Sequence, residues 1–276
     1  MNPNLKQIEH WNGPAGHLWA SRHETNEIRL ANVHNALMAF AAPQRGDHVL
    51  DVGCGCGWTA LALAEVVAPG KVIGLDVSAP MLDTARLNAN AEKLDVDFIE
   101  ADASIHPFAP EFDLVFSRFG VMFFTHPVEA FANIRKALKP GGRLAFVCWR
   151  AFPENPWAYA PVVVARDLLP LEPPQDPRAP GQFAFADDSY VCDILAGAGF
   201  CDIRIERCDV SVNLGVDLDE AANDSLNTGA LSRAAASLDT PTRDAIRKRV
   251  RTALEPYATT EGVSPPSSCW LVGAAI

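Results

Sequence analysis

Through the middle of the chain, short runs of aliphatic residues alternate with longer stretches in which apolar residues recur at helical intervals. The short runs predict strands over 48–52, 71–76, 96–100, 113–116 and 144–149, and the stretches between them predict helices over 58–68, 79–92 and 127–138. A helix from Glu24 to Ala41 is expected ahead of them, on the spacing of Ile28, Ala31, Leu37, Met38 and Ala41. Strands and helices in alternation imply right-handed crossovers and an α/β fold with a doubly wound parallel sheet. The run Lys139-Pro140-Gly141-Gly142-Arg143 reads as a tight turn feeding the fifth strand. Beyond it the pattern breaks, with Pro at 153, 156, 161, 170, 173, 174, 177 and 180. That stretch, 150–186, reads as an irregular insertion, apolar enough at Trp157, Tyr159 and Val162–Val164 to pack. A helix over 187–198, a strand over 203–212, a helical stretch over 217–257 and a last strand over 268–276 complete the chain, without an internal repeat.

The first predicted strand ends in Asp51-Val52-Gly53-Cys54-Gly55-Cys56-Gly57. Glycines between a strand and a helix let the backbone turn sharply and let a ligand approach the main chain. In the dinucleotide fingerprint the third glycine would fall on position 58, which is Trp58. Asp51 would repel a pyrophosphate and attract the ammonium of an amino acid. Both details favour S-adenosylmethionine (SAM) over a nicotinamide dinucleotide. Asp76 ends the second strand, where an acid can accept from both hydroxyls of a ribose. It could instead cap the next helix, although Ser78 is better placed for that.

Composition narrows the partners. The chain has 276 residues, 34 acids against 23 Lys and Arg, and a net charge of −11. Proteins that track nucleic acid usually carry the opposite balance, so a small molecule is the expected partner and nucleic acid is not. Residues 1–7 lack the apolar core of a signal peptide, and no apolar run is long enough to span a bilayer. Stable membrane association is therefore not expected. Seven cysteines without a paired Cys-x-x-Cys spacing fit reduced thiols in a cytoplasm. Cys54 and Cys56 could suggest a metal, but inside the glycine turn their small size is the better reason for them, and no metal is expected. The sequence sets no oligomeric state.

From about residue 46 to 150 the chain resembles the class I SAM-dependent methyltransferases, in particular the small-molecule group with a ubiquinone/menaquinone-methyltransferase-like core. The resemblance rests on the glycine turn, Asp76-Val77-Ser78-x-x-Met81-Leu82, Ala101-Asp102-Ala103, Phe112-Asp113-Leu114-Val115 and Lys139-Pro140-Gly141-Gly142, in the family's order. Trp11-Asn12-Gly13-Pro14-Ala15-Gly16 and the terminal strand are similar to a bacterial subgroup. The resemblance implies a Rossmann-like seven-stranded sheet of order 3-2-1-4-5-7-6 with the last strand antiparallel and a helical lid. It implies one domain over 1–276: a cap over the cofactor site (1–45), a SAM-binding core (46–150), and an acceptor pocket formed by the insertion 150–186 and the lid 217–257. Asp51 and the backbone of Gly53, Gly55 and Gly57 would hold the methionine end of SAM, and Asp76 the ribose. Val77 and Met81 would flank the adenine, Asp102 and the Ala103 backbone would take its edge, and Ser117 would lie near the sulfonium.

The implied activity is methyl transfer to a small molecule, at oxygen or carbon, by in-line displacement. A general base is needed only where the acceptor must lose a proton. His17 and His126 are candidates, and His126-Pro127 also reads as a helix start. Arg118 could bind an acceptor carboxylate or pair with a neighbouring acid. Trp149, Phe152, Trp157, Phe183 and Phe185 would suit an apolar or aromatic acceptor, or simply pack the insertion onto the sheet. The segment 240–255 reads as a basic amphipathic helix, with Arg243, Arg247, Lys248, Arg249 and Arg251 opposite Ile246, Val250 and Leu254. Such a helix can lie on anionic membrane or RNA, or be the wet side of a lid balanced by the acids of 217–224. An RNA or protein methyltransferase is disfavoured by the charge and by Ser117-Arg118-Phe119-Gly120 in place of an Asn/Asp-Pro-Pro-Tyr/Phe tetrapeptide. A non-catalytic SAM-binding protein is the other alternative, and an NAD-linked oxidoreductase comes last.

Overall fold

The structure, a computed structural model, describes residues 2–170 and 176–276. In chain order it forms α1 (Leu5–Asn12), α2 (Pro14–Ser21), α3 (His23–Ala41), β1 (His48–Val52), α4 (Trp58–Val67), β2 (Lys71–Asp76), α5 (Ala79–Glu92), β3 (Asp97–Glu100), β4 (Phe112–Arg118), α6 (Pro127–Arg135) and β5 (Leu138–Trp149). There follow α7 (Pro156–Ala165), α8 (Asp188–Gly197), β6 (Cys201–Ser211), α9 (Leu218–Asn227), α10 (Gly229–Ala235), α11 (Thr240–Leu254), the short hairpin β7 (Ala258–Thr259) and β8 (Gly262–Val263), and β9 (Pro266–Ala275). Seven strands make one sheet in the order β3-β2-β1-β4-β5-β9-β6, and β9 runs antiparallel to both β5 and β6. This is the expected order, with β9 as its seventh strand. β1 and β4 are buried along nearly their whole length, which is why they read as unbroken apolar runs rather than alternating ones. The largest side chains of the core, Phe116, Phe131 and Phe146, are wholly enclosed.

Four elements differ from the reading of the sequence. Residues 5–21 form two short helices, with a corner at Gly13-Pro14 where Pro14 opens the second. The insertion 150–186 is not irregular throughout, since Pro156 starts α7 and Pro161 lies inside it. Its residues are apolar on all sides, so they carry no helical period to read. Pro173 and Pro174 lie outside the described residues. The helical stretch 217–257 holds three helices: the one expected from Thr240 is α11, opened by Asp239, which caps the amide of Thr242 at 2.9 Å, and the part before it is broken at Thr228-Gly229, where Gly229 takes a φ of +72°. Finally, α6 stops at Arg135 and β5 already starts at Leu138, which pairs with Phe112 ahead of the turn at Gly141.

The sheet reverses its winding between β1 and β4, and in such sheets ligands bind outside the carboxyl ends of the strands at that seam. Here the backbones after the two strands touch. A Cβ on Gly53 would lie 2.6 Å from the Cα of Gly120, and one on Gly120 would lie 2.6 Å from the carbonyl oxygen of Val52. Ser117 clips the same seam: its hydroxyl donates to the Val52 carbonyl at 2.7 Å and accepts from the Gly120 amide at 3.2 Å. Gly120 has an ordinary φ of −78°, so its constraint is space alone. Gly120→Ala should lose about 1–3 kcal/mol in urea unfolding, the usual cost of overpacking. Gly181→Ala, whose new methyl would meet nothing closer than 3.7 Å, should unfold like the wild type.

Candidate functional site

Three carboxylates gather around the glycine turn. Asp51, Asp76 and Asp102 are 0, 7 and 7% exposed, and each stands at or just past the carboxyl end of a parallel strand, β1, β2 and β3 in turn. Gly53, Gly55 and Gly57 take φ of +71°, +54° and +86°, a left-handed path that residues with a Cβ resist. They differ in their surroundings. Gly53 faces Gly120, and a Cβ on Gly57 would lie 2.9 Å from that of Ala85, whereas one on Gly55 would meet only the Met81 sulfur at 3.8 Å. Gly55 is thus the point where a ligand can come up to the backbone. Met81 itself is buried on α5.

Asp51 is the least satisfied of the three. Thr59 donates its hydroxyl to Oδ2, while Oδ1 is buried without a partner. Burial pushes its carboxyl up to about 7, against the opposing pull of the Thr59 hydroxyl and of Arg118. Asp76 accepts the amide of Gly55 at 2.8 Å and that of Ser78 at 2.9 Å. Burial raises its pKa as well, and these backbone donors hold it back. Asp76 therefore ties the glycine turn to the start of α5. Ser78, expected as the helix cap, makes no capping bond and gives its hydroxyl to the carbonyl of Trp11 at 2.7 Å.

The amino-terminal segment lies on this site through Asn4, which carried no signal in the sequence, and through Trp11 and Asn12 of the motif that did. Asn4 donates to both oxygens of Asp102 at 3.1 Å and accepts the amide of Thr125 at 2.8 Å. Asn12 donates to the carbonyl of Val77 at 2.7 Å and accepts the amide of Ala79 at 2.9 Å. Asp102 also accepts the amide of Ser104 at 2.9 Å, and the Ala103 carbonyl is taken by Asn133 at 2.9 Å. Trp11 packs edge-on against Phe123, with ring centroids 5.4 Å apart. Ser117 is wholly buried and spent on the seam between β1 and β4.

The other candidates fall apart spatially. His17 and His126 are both exposed, and His126 precedes Pro127 at the start of α6 as a helix-opening residue. Arg118 takes the second of its two readings, giving both terminal nitrogens to Glu27 at 2.9 and 2.5 Å. Among the aromatics, Phe185 belongs to the core beside Phe131 and Phe146. Phe152 packs on Phe183 at 5.3 Å. Trp149 stacks on Phe119 at 4.2 Å and 8°, and leans on Trp157 at 4.8 Å. Phe119, held at φ +64° just after β4, joins that stack to the seam. Cys54 and Cys56 are buried free thiols pushed upward by burial, Cys56 to about 12. Among the described residues, no three His, Cys, Asp or Glu side chains cluster as a metal site would require, and no helix is long and apolar enough to cross a membrane.

The sequence profile of the methyltransferase-domain family matches residues 49–142, the stretch that builds this turn and the strands around it. Residues 49–142 thus form a methyltransferase domain. The domain is 31% identical over 137 residues to the ubiquinone/menaquinone biosynthesis C-methyltransferase UbiE of a Ruegeria species, covering 47% of this chain and 55% of that protein. It is 36% identical over 131 residues to the demethylmenaquinone methyltransferase of Thermus thermophilus, covering 47% and 58%. The chain therefore spans little more than half the length of these curated relatives. Among solved structures, the phosphoethanolamine N-methyltransferase 2 of Haemonchus contortus, in complex with phosphomonomethylethanolamine and S-adenosylhomocysteine, shares the fold of the domain. Its TM-score is 0.54 at 21% identity, over 88% of this chain and 52% of that one.

The raised Asp51 carboxyl has a consequence for stability. The folded protein holds the Asp51 proton more tightly than the unfolded chain does, so burial costs most above pH 7, where the group is ionised, and the cost fades as pH falls through 7 towards the ordinary carboxylate range. Asp51→Asn keeps an acceptor for Thr59 and removes the charge. In thermal melts of cofactor-free protein it should be the more stable form at pH 8, by about 2–4 °C for each kcal/mol relieved, with the gap closing towards pH 5.

Proposed function

We propose that the chain is a SAM-dependent methyltransferase that methylates an apolar or aromatic small molecule at oxygen or carbon. The observation that carries this reading is the Asp51 carboxylate, fully buried beside the glycine turn with one oxygen lacking any partner. A buried acceptor without a donor is costly, and the ammonium of the cofactor's methionine end is the group that would offset it. Asp51 and the Gly53, Gly55 and Gly57 backbone hold that end in this reading. Asp76 takes the ribose, Val77 and Met81 flank the adenine, and Asp102 and the Ala103 backbone receive its edge.

The acceptor capacity supports these roles. An ionised carboxylate offers about four lone-pair sites. Asp76 spends them on the Gly55 and Ser78 amides, leaving room for two ribose hydroxyls. Asp102 accepts twice from Asn4 and once from Ser104, leaving room for an adenine amino group. Ser117 acts from behind, by keeping Gly120 against Gly53.

Bound there, the cofactor supplies a methyl carbon on a sulfonium, an electrophile that needs no activation by the protein. The work of the chain is orientation and dryness. The cap, through Asn4, Trp11 and Asn12, covers the loops after β2 and β3 and keeps water from them. The Phe119–Trp149–Trp157 stack offers a flat apolar wall against which an aromatic acceptor can lie. The names of the two relatives, both concerned with quinones, agree with an acceptor of that kind. No proton step falls to His17 or His126, which face solvent.

Calorimetric titration of cofactor-stripped protein with SAM should show micromolar binding. Asp76→Ala removes two charge-assisted hydrogen bonds worth about 1.5–3 kcal/mol each and should weaken binding by about a hundredfold or more. Labelled methyl should then pass from SAM to hydroxylated aromatic or quinone-like acceptors. Absence of heat, together with no competition by S-adenosylhomocysteine, would overturn the proposal.

A further inference from the structure

A groove of about 520 Å3 opens between α2, α9, α10 and α11, away from the glycine turn, and its volume is in the range of small-molecule sites, roughly 300–1,000 Å3. Leu18, Leu226 and Ala236 make its apolar wall, Asn227 adds an amide, and Arg22 and Arg243 supply positive charge, with no Asp or Glu among the described residues of the lining. In a chain of net charge −11, that local sign stands out.

The two arginines are charged surplus for different reasons. Arg22 binds Asp224, but Asp224 binds Arg29 at the same time, so one carboxylate is shared by two guanidinium groups. Asp224 is 4% exposed and Arg29 9%, and the charge of Glu220 also reaches Arg29, so the surplus is only partly offset. Burial lowers the pKa of Arg29, and the neighbouring Arg22 adds to that. Arg243 is the exception among the arginines of α11. Arg247 pairs with Asp244, Arg249 with Asp167 and Arg251 with Asp219 and Glu255. Arg243 instead donates to the carbonyl of Ala235 at 2.8 Å, and among the described residues no acid stands within ion-pair distance of it.

Behind the shared carboxylate, Arg29, Asp224 and Trp157 line a void of only about 20 Å3, and among the described residues none lines both that void and the groove. The groove therefore stands apart from the Trp157–Trp149–Phe119 stack.

We infer that this groove is a separate binding site for an apolar small molecule that carries a carboxylate, gripped by Arg22 and Arg243, with Leu18, Leu226 and Ala236 against its apolar body. A guanidinium fork matches a carboxylate in shape as well as charge, and such bonds are about twice as strong as neutral ones.

The test is calorimetric titration of the full chain with 2-naphthoate and with octanoate, each against its neutral amide, beside a separate titration with SAM. Each carboxylate should bind about tenfold or more tightly than its amide, with a preference that shrinks as salt is added. Arg243→Gln should remove the preference and Arg243→Lys should restore part of it. Arg243 anchors no buried acid, so Arg243→Gln should melt like the wild type and bind SAM normally. If the protein binds SAM but does not prefer either carboxylate over its amide, or if Arg243→Gln leaves the preference intact, the inference is overturned and the methyltransferase reading stands. Failure to bind SAM removes that reading, whatever the carboxylates do.

Discussion

The close approach of two backbones, Gly53 after β1 and Gly120 after β4, is the constraint on which the rest of the site depends. Side chains at either position would force the two turns apart at 2.6 Å contacts. With both absent, the carboxyl ends of β1 and β4 stay side by side and Ser117 can bridge them. The same closeness holds Asp51 beneath the turn, away from water, and sends Phe119 out at a positive φ onto Trp149. In the proposed reading, cofactor end and acceptor wall thus share one seam. A shift at the seam would disturb both.

Buried carboxylates are handled in three different ways around it. Asp76 is stabilised by backbone amides, Asp102 by the side chain of Asn4 from the cap, and Asp224 by two arginines. Asp51 alone keeps an oxygen with no partner. Charge buried without compensation works against folding, so its retention beside a ligand-accessible glycine is easier to understand as a binding feature than as a structural one. The asparagines of the cap make the converse point. They bind the carboxylate and backbone groups of the loops after β2 and β3, so the packing of α1 and the geometry of those loops are chemically linked.

The helices α9 to α11 obey a simpler logic. Ile246, Val250 and Leu254 are wholly buried, and most of the basic face of α11 is neutralised by acids of α11 itself, of α9 and of the segment after α7. Exposed pairs of this kind add little stability, but they cancel the basic character that the sequence suggested for a membrane or RNA surface. Among the described residues Arg243 and Lys248 are the cations of α11 without an acid: Lys248 is exposed, whereas Arg243 borders the groove that Arg22 also lines.

The parallel sheet, its order, the glycine turn and the acids at the strand ends were legible from the chain alone. Each is written locally: a buried strand is an apolar run, a left-handed turn needs glycine, and an acid at the tip of such a strand is conspicuous. The α7 helix, the break at Thr228-Gly229 and the corner at Gly13-Pro14 were not, because an all-apolar helix has no period and short helices are held mainly by what they pack on. The partners of polar side chains lay further out of reach. Nothing near Asn4 in sequence points to Asp102, nothing near Arg118 to Glu27, and nothing near Arg22 or Arg29 to Asp224. Those pairings join residues far apart along the chain, and only the folded sheet, by bringing helices from distant parts of the chain together around it, decides them.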